Sequence, residues 1–107
     1  MIFKEIDVHK LNEFFNSKKD IILLDVRTNQ EVLLSKIDQS IHIPMQEISV
    51  RYNELDKNKE IVVQCKSGKR SAKVCEFLLN QNFKNVKNLK GGIIAWSQEI
   101  DPSILVF

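Results

Sequence analysis

Residues 61–79 read Ile61-Val62-Val63-Gln64-Cys65-Lys66-Ser67-Gly68-Lys69-Arg70-Ser71-Ala72-Lys73-Val74-Cys75-Glu76-Phe77-Leu78-Leu79. The first four residues form a largely apolar run that is typical of a buried β-strand, and the residues from Ala72 onward have the apolar spacing of a helix. A short polar loop with one glycine and three cationic side chains joins the two. The stretch therefore predicts a strand, a loop and a helix, with Cys65 at the end of the strand.

The rest of the chain shows the same alternation of apolar runs and amphipathic stretches. Four further strands are predicted, over residues 2–6, 21–24, 41–43 and 86–89. Further helices are predicted after Asp7, within residues 25–34, and over residues 47–55 and 93–100, with residues 91–92 forming a turn. On the first helix, Val8, Leu11 and Phe15 share one face. Strands separated by helices imply an α/β fold, in which a parallel sheet carries helices on both faces.

Length and composition set limits on the function. The 107 residues are predicted to form one domain, residues 1–107, around a single core. The net charge of +2 is small and the cations are interspersed with acids, so we expect neither a nucleic-acid nor a membrane partner. No apolar run approaches the roughly 18 residues that span a bilayer, and the N-terminus lacks the pattern of a signal peptide. Two cysteines are too few for a disulfide framework, which predicts a reduced, cytoplasmic setting.

The loop after Cys65 has the composition of a thiolate or anion site. A free thiol with a pKa of about 8.5 is only ~3% ionised at pH 7, and lowering that pKa to about 7 needs roughly 2 kcal/mol. A helix N-terminus typically supplies about 0.3–1 kcal/mol. We therefore expect loop N–H groups and the cations Lys66, Lys69 and Arg70 to supply the rest. Gly68 permits the positive φ that such a loop needs.

Several short motifs, taken in order, resemble the rhodanese-like domain from one end of the chain to the other. They are Leu24-Asp25-Val26-Arg27 with Glu31, Ile43-Pro44, the loop from Cys65 to Ser71, Leu89-Lys90-Gly91-Gly92-Ile93, and Ala95-Trp96. The resemblance implies a five-stranded parallel sheet flanked by helices. It also implies a sulfurtransferase of the thiosulfate type, in which Cys65 carries sulfur as a persulfide. Neither a cofactor nor a metal ion is expected.

The resemblance also assigns roles to residues. Cys65 is the predicted nucleophile, and the substrate is expected to bind to the residues that follow it, Lys66, Ser67, Gly68, Lys69, Arg70 and Ser71. The sequence leaves two roles open for Arg70, which either contacts the substrate or reaches back across the loop and fixes its shape. Asp25 and Arg27 end another predicted strand. Because ligands bind beyond the carboxyl ends of parallel strands, we expect these two residues to lie at the same edge of the sheet as Cys65 and to support the site there. The implied partners are a small sulfur donor such as thiosulfate and a sulfur-relay protein.

One segment departs from the family pattern. Many members have a Gly-His-Ile stretch followed by Gly-Ala before the Ile-Pro pair, whereas residues 35–40 here read Ser35-Lys36-Ile37-Asp38-Gln39-Ser40. The shape of that loop is therefore not predicted by the resemblance. Residues 43–47 and 96–103 resemble, more narrowly, the rhodanese domains fused behind ubiquitin-activating-type adenylyltransferases, which deliver sulfur to small carrier proteins.

The length of the loop separates sulfur transfer from phosphatase chemistry. Cysteine-dependent phosphatases use Cys-x5-Arg, whereas Arg70 lies five positions after Cys65 and gives Cys-x4-Arg. The smaller ring favours a sulfane sulfur over phosphate, so a phosphatase is the less favoured alternative. A non-enzymatic docking or redox-sensing module is the other alternative. Cys75, on the apolar face of the predicted helix, is expected to pack in the core.

Overall fold

The computed structural model describes residues 3–106, so Ile2 of the predicted first strand and Phe107 of the apolar tail lie outside the described residues. Strands and helices alternate along the described chain. Their bounds are β1 Lys4–Ile6, α1 Val8–Asn16, β2 Ile21–Asp25, α2 Asn29–Leu34, β3 Ser40–His42, α3 Ile48–Arg51, β4 Glu60–Gln64, α4 Lys69–Asn80, β5 Val86–Leu89 and α5 Gly92–Glu99.

The five strands form one parallel sheet in the order β1-β5-β4-β2-β3. The central strand β4 pairs with β2, which sets Asp25 opposite Gln64, and with β5 on its other side. Asp25 and Cys65 therefore lie at the same edge of the sheet, at the ends of neighbouring strands. The predicted five-stranded parallel α/β fold is confirmed.

Helices cover both faces of the sheet, and each face has its own apolar cluster. On one face α4 contributes Val74, Cys75 and Leu78. On the other face α1 contributes Val8 and Leu11, while α5 contributes its own apolar residues. Every residue of β4 is buried, and each fully buried apolar side chain contributes about 1.5–3 kcal/mol. Burial of β4 therefore holds the start of the loop after Cys65 in a fixed position.

The structure adjusts the first helix and the third strand. Asp7 caps α1 by accepting a hydrogen bond from the N–H of Lys10 at 2.9 Å, so the helix begins where it was predicted to begin. Phe14 rather than Phe15 is buried, while Phe15 packs edge-on against Trp96. β3 ends at His42, one residue earlier than predicted, although the N–H groups of Ile43 and Met45 still donate to the carbonyls of Asp25 and Val26 at 3.1 and 3.0 Å.

The segment predicted as helical over residues 47–55 is helical over residues 45–54, but it is not one regular α-helix. The segment divides into a 3₁₀ turn at Met45–Glu47, α3 at Ile48–Arg51 and a second 3₁₀ turn at Tyr52–Glu54. Ile48 and Leu55 are buried, so the divided segment still presents an apolar face to the core. Serine, valine and asparagine are weak helix formers, and short segments of this kind often tighten into 3₁₀ turns.

The end of the described chain packs back on the domain. Ile104 and Val106 pack against the cluster formed by α1 and α5, and the hydroxyl of Ser35 donates to the carbonyl of Leu105. Within residues 3–106, no helix has both the length and the apolar character needed to cross a membrane.

Candidate active site

Cys65 follows β4 directly, and α4 begins four residues later at Lys69. Between them, Gly68 has φ +107°, in the left-handed region that glycine tolerates. The loop therefore turns back on itself and brings its N–H groups towards the cysteine. The side chain of Cys65 is 1% exposed.

Hydrogen-bond donors converge on the sulfur of Cys65. Its Sγ lies 3.1 Å from the N–H of Gly68 and 3.4 Å from the N–H of Ser71, and both groups donate to it. The hydroxyl of Ser71, which can donate or accept, lies 3.3 Å from the same sulfur. Burial raises the pKa of the thiol, but hydrogen bonds from Ser71, Gly68 and Ser67 outweigh that effect, so the pKa lies below its ordinary value. The loop thus favours a thiolate by short-range donors, as an anion-binding nest does.

Asn88 of β5 connects the loop to the sheet. Its Oδ1 accepts a hydrogen bond from the hydroxyl of buried Ser71, and its Nδ2 donates to the carbonyl of Gly68 at 3.1 Å. Asn88 is itself 2% exposed. The amide therefore fixes both the turn of the loop and the side chain of the residue next to the sulfur.

The first turn of α5 closes the other side of the loop. The N–H groups of Ile93 and Ile94 donate to the carbonyls of Cys65 and Lys66 at 2.9 and 3.2 Å. The approach is so close that a Cβ atom at Gly92 would overlap both carbonyl oxygens. The glycine pair was predicted as a turn, and its second member is also what permits α5 to pack on the loop.

Arg70 points from α4 towards α2. Its guanidinium donates to both carboxylate oxygens of Glu31, at 2.7 and 2.9 Å. This two-point contact lowers the pKa of Glu31 to about 2. Glu31 also completes a capping box with Thr28 at the start of α2. The arginine therefore joins the loop to a separate element, where the sequence alone left it either shaping the loop or binding substrate.

Asp25 and Arg27 form a buried ion pair behind the loop. The Nη2 and Nε atoms of Arg27 donate to Asp25 at 2.8 and 3.1 Å, and Nη2 also donates to the carbonyl of Ser35. Their side chains are 0% and 3% exposed. The structure therefore places both residues at the predicted edge, where they bind each other and anchor the loop that departs from the family pattern.

The remaining loop residues face outward. Ser67 and Lys69 are exposed and Lys66 is half-buried. Lys66 lines a cavity of about 20 Å³, together with residues of α2, residues on either side of α2 and one residue of the C-terminal segment, namely Glu31, Leu34, Arg27, Ser35 and Val106. That volume holds little more than one small group. Lys66 and Lys69 thus supply positive charge at the mouth of the site, while Gly68 and Ser71 contact the sulfur.

Sequence reasoning missed the contacts of Glu31 and Asn88. Glu31 was noticed only as part of a motif, and its partner Arg70 lies 39 residues away. Asn88 carried a usable signal, because it shares a face of β5 with buried Val86 and a polar residue at a buried position needs a partner. Across the part of the chain that the structure describes, no group of three His, Cys, Asp or Glu side chains could hold a metal ion.

Comparison with known proteins places these features in a family. A family model described as "Rhodanese-like domain" matches residues 7–99. The Bacillus subtilis protein YtwF, provisionally named a sulfurtransferase, is 42% identical over 95% of this chain and 98% of its own length. A protein of Allochromatium vinosum named sulfurtransferase is 37% identical over 94% of each chain. These relatives support sulfur transfer of the rhodanese type.

The solved structures agree with the fold. The crystal structure of a rhodanese-related protein from Thermoplasma volcanium superposes with a TM-score of 0.84 at 30% identity, and the match covers 98% of this chain and 100% of that one. The resemblance to rhodanese domains fused behind adenylyltransferases is also found, at lower sequence identity. A Meyerozyma guilliermondii protein named adenylyltransferase and sulfurtransferase is 31% identical over 94% of this chain, which spans 25% of that protein.

Proposed function

The chain belongs to the rhodanese-like family, and from that premise we propose that it moves a sulfane sulfur from a donor such as thiosulfate to a thiophilic acceptor through a persulfide on Cys65. One observation carries the proposal: the N–H groups of a tight loop converge on a buried cysteine whose pKa is lowered. A thiolate held in this way is a ready nucleophile.

The reaction has two half-reactions. The thiolate of Cys65 attacks the outer sulfur of thiosulfate, the sulfur–sulfur bond of the donor breaks, and sulfite leaves with the electron pair. The negative charge then lies on the outer sulfur of the Cys65 persulfide, close to the loop N–H groups. A nucleophile such as cyanide or a thiol attacks that outer sulfur and releases the Cys65 thiolate. This is covalent catalysis with ping-pong character.

The test is an intact mass measurement after incubation with thiosulfate. We expect a gain of one sulfur atom that is lost on adding cyanide or dithiothreitol. The Cys65→Ser variant should gain nothing, whereas Cys75→Ser should gain sulfur as the unchanged chain does, because Cys75 is a core residue. Sulfur transfer that persists in Cys65→Ser would sink the mechanism. An unchanged mass in the unmodified chain would favour the docking or redox-sensing module.

Phosphatase chemistry has less support from the geometry. A phosphatase arginine must be free to bind the oxygens of the phosphate, whereas both hydrogen bonds found here for the Arg70 guanidinium go to Glu31. Release of that arginine would break a two-point ion pair, which is among the stronger side-chain contacts. Sulfur transfer needs no such release, because its anion is held by backbone N–H groups.

We also propose a sulfur-relay protein as a partner. The short helix α2 buries none of its residues, and Leu33 and Leu34 are 86% and 61% exposed. Leu34 lines the same cavity as Lys66, so an apolar surface lies beside positive charge at the mouth of the site. A partner segment with apolar and acidic side chains around a persulfide would complement both.

This partner can be tested with two donors that carry the same reacting group. One is a peptide persulfide flanked by leucine and glutamate, and the other is glutathione persulfide. Replacing both leucines by serine (Leu33→Ser with Leu34→Ser) should slow loading of Cys65 from the peptide roughly ten-fold, which corresponds to about 1.4 kcal/mol of lost apolar contact. Loading from glutathione persulfide should not change. Equal slowing with both donors would contradict a docking role.

A further inference from the structure

The hydroxyl of Ser71 has one hydrogen and two neighbouring acceptors. Its Oγ lies 3.3 Å from Sγ of Cys65 and 2.5 Å from Oδ1 of Asn88. A serine hydroxyl donates one hydrogen bond and accepts others. If the hydrogen points to Sγ of Cys65, the hydroxyl donates to the sulfur. If it points to Asn88, the hydroxyl presents a lone pair to the sulfur.

The orientation of the Asn88 amide settles which way this hydrogen points. Its Nδ2 lies 3.1 Å from the carbonyl oxygen of Gly68 and 3.4 Å from a carboxylate oxygen of Glu5. Both of those atoms can only accept, so the amide nitrogen must face them and the amide oxygen must face Ser71. Because an amide oxygen cannot donate, Ser71 is the donor in the contact with Asn88.

The contact with Asn88 is the shorter of the two, and it has a consequence for the cysteine. With its hydrogen on Asn88, Ser71 presents lone pairs to Sγ of Cys65. Lone pairs accept a hydrogen bond from a neutral S–H group and oppose a thiolate. The N–H groups of Gly68 and Ser71 donate to the sulfur in either state, whereas the hydroxyl can change direction.

We propose that Asn88 is a positioning residue that sets the reactivity of Cys65 by competing with its sulfur for the hydrogen of Ser71. When the thiol loses its proton to solvent, the hydroxyl rotates towards the sulfur and gives up its bond to Asn88. The cost of that lost bond is part of the cost of forming the thiolate. Asn88 therefore acts through Ser71 and makes no contact of its own with the sulfur of Cys65.

The charged and titratable groups near Cys65 come from the loop and from four neighbouring elements. They are Lys66 and Lys69 of the loop, Arg70 and Cys75 of α4, Asp25 and Arg27 at the end of β2, Glu31 of α2 and Glu5 of β1. None of them is changed in the variants below. A difference in the titration of Cys65 between those variants therefore reports on the hydrogen of Ser71.

The experiment is a double-mutant cycle on Asn88→Leu and Ser71→Ala. The pKa of Cys65 is measured from the ultraviolet absorbance of the thiolate and, separately, from the pH dependence of alkylation by iodoacetamide. Burial raises the pKa of Cys75 to about 12, so that thiol stays neutral over the range that is titrated. Asn85→Leu, at an exposed asparagine next to the start of β5, is the matched control.

We expect Asn88→Leu to lower the pKa of Cys65 by about 0.7 units, the value of one neutral hydrogen bond of ~1 kcal/mol. The same replacement in the Ser71→Ala background should not lower it, because no hydroxyl hydrogen is left to redirect. Asn85→Leu should leave the pKa unchanged. A pKa that rises or stays constant in Asn88→Leu, or that falls equally in both backgrounds, would overturn the proposal.

Loss of the bonds from Asn88 to Gly68 and Glu5 is the structural effect that must be separated. Both bonds are lost in both backgrounds of the cycle, so their loss cancels from the difference. If Asn88→Leu does not fold, as judged by circular dichroism, the smaller Asn88→Ala replaces it with the same expectation. No sulfur donor is present in these titrations, so their outcome is independent of whether the chain transfers sulfur.

Discussion

At the scale of single residues, Cys65 combines two properties that usually oppose each other. It is almost fully buried, which raises a thiol pKa, yet its pKa lies below the ordinary value because several donors face the sulfur. Its position could be predicted from the sequence, since a strand, a loop and a helix are local patterns. The contacts of Ser71 with Asn88 and of Arg70 with Glu31 could not, because they join residues 17 and 39 positions apart.

The pair formed by Glu31 and Arg70 makes stability depend on pH. The pKa of Glu31 falls from 4.5 to about 2 on folding, so its stabilisation is fully present above pH 4.5 and is lost as the pH falls towards 2. Glu31→Gln should lower the free energy of unfolding at pH 7 by about 1 kcal/mol, since the pair is partly exposed to solvent. Near pH 2 the variant and the unchanged chain should have similar stability.

Urea unfolding at several pH values measures this difference. Glu54→Gln is the control, because it removes a carboxylate from an exposed pair with Arg51, and we expect little change at any pH. A difference between Glu31→Gln and the unchanged chain that stays constant from pH 7 to pH 2 would show that the carboxylate does not stabilise the fold through its charge.

At the scale of elements, the loop is held from three sides, by β4 before it, α4 after it and α5 above it. The sequence predicted each of these elements from its apolar pattern. It did not predict that the first turn of α5 donates hydrogen bonds to the carbonyls of Cys65 and Lys66. Both α4 and α5 contact the loop after Cys65 only when the whole sheet is assembled, so no local sequence pattern predicts this contact.

Two glycines of this assembly should respond differently to alanine. Gly92 has φ +59° and its added Cβ would overlap carbonyl oxygens of the loop, whereas Gly68 has φ +107° and its nearest heavy atom would be 3.6 Å away. Gly92→Ala should therefore cost about 3 kcal/mol or more of stability. Gly68→Ala should cost only the backbone strain, about 1–2 kcal/mol. Urea unfolding of both variants checks the order, and equal losses would contradict the close packing of α5.

At the scale of the whole molecule, the parallel sheet could be predicted with its covering helices, while the break at α3 could not. Runs of apolar residues separated by helical spacing are a global pattern, and Ile21 to Leu24 and Ile61 to Val63 show it clearly. The division of the helical segment over residues 47–55 could not be predicted, because its buried residues, Ile48 and Leu55, can face the core equally well from one helix or from a short helix between 3₁₀ turns.

The position of β4 predicts the pattern of hydrogen exchange. Amides of Val62 and Val63 lie in a strand that is paired on both sides and buried throughout, so they should exchange only on global unfolding. Amides of α2, which buries none of its residues, should exchange by local opening and several orders of magnitude faster. Exchange followed by NMR measures both sets. Comparable protection of α2 and β4 would contradict this order.

The pairing of β1 with β5 has a consequence for the timing of reactivity. These strands lie near opposite ends of the chain, and Glu5 reaches Asn88 across 83 residues. A chain emerging from the ribosome exposes Cys65 before residues 86–99 have left it, so neither Asn88 nor α5 can yet hold the loop. In that unfolded state the thiol has an ordinary pKa and is only ~3% ionised at pH 7. Oxidants that attack thiolates then react slowly with Cys65. The cysteine becomes reactive only when β5 and α5 have left the ribosome and packed against the loop.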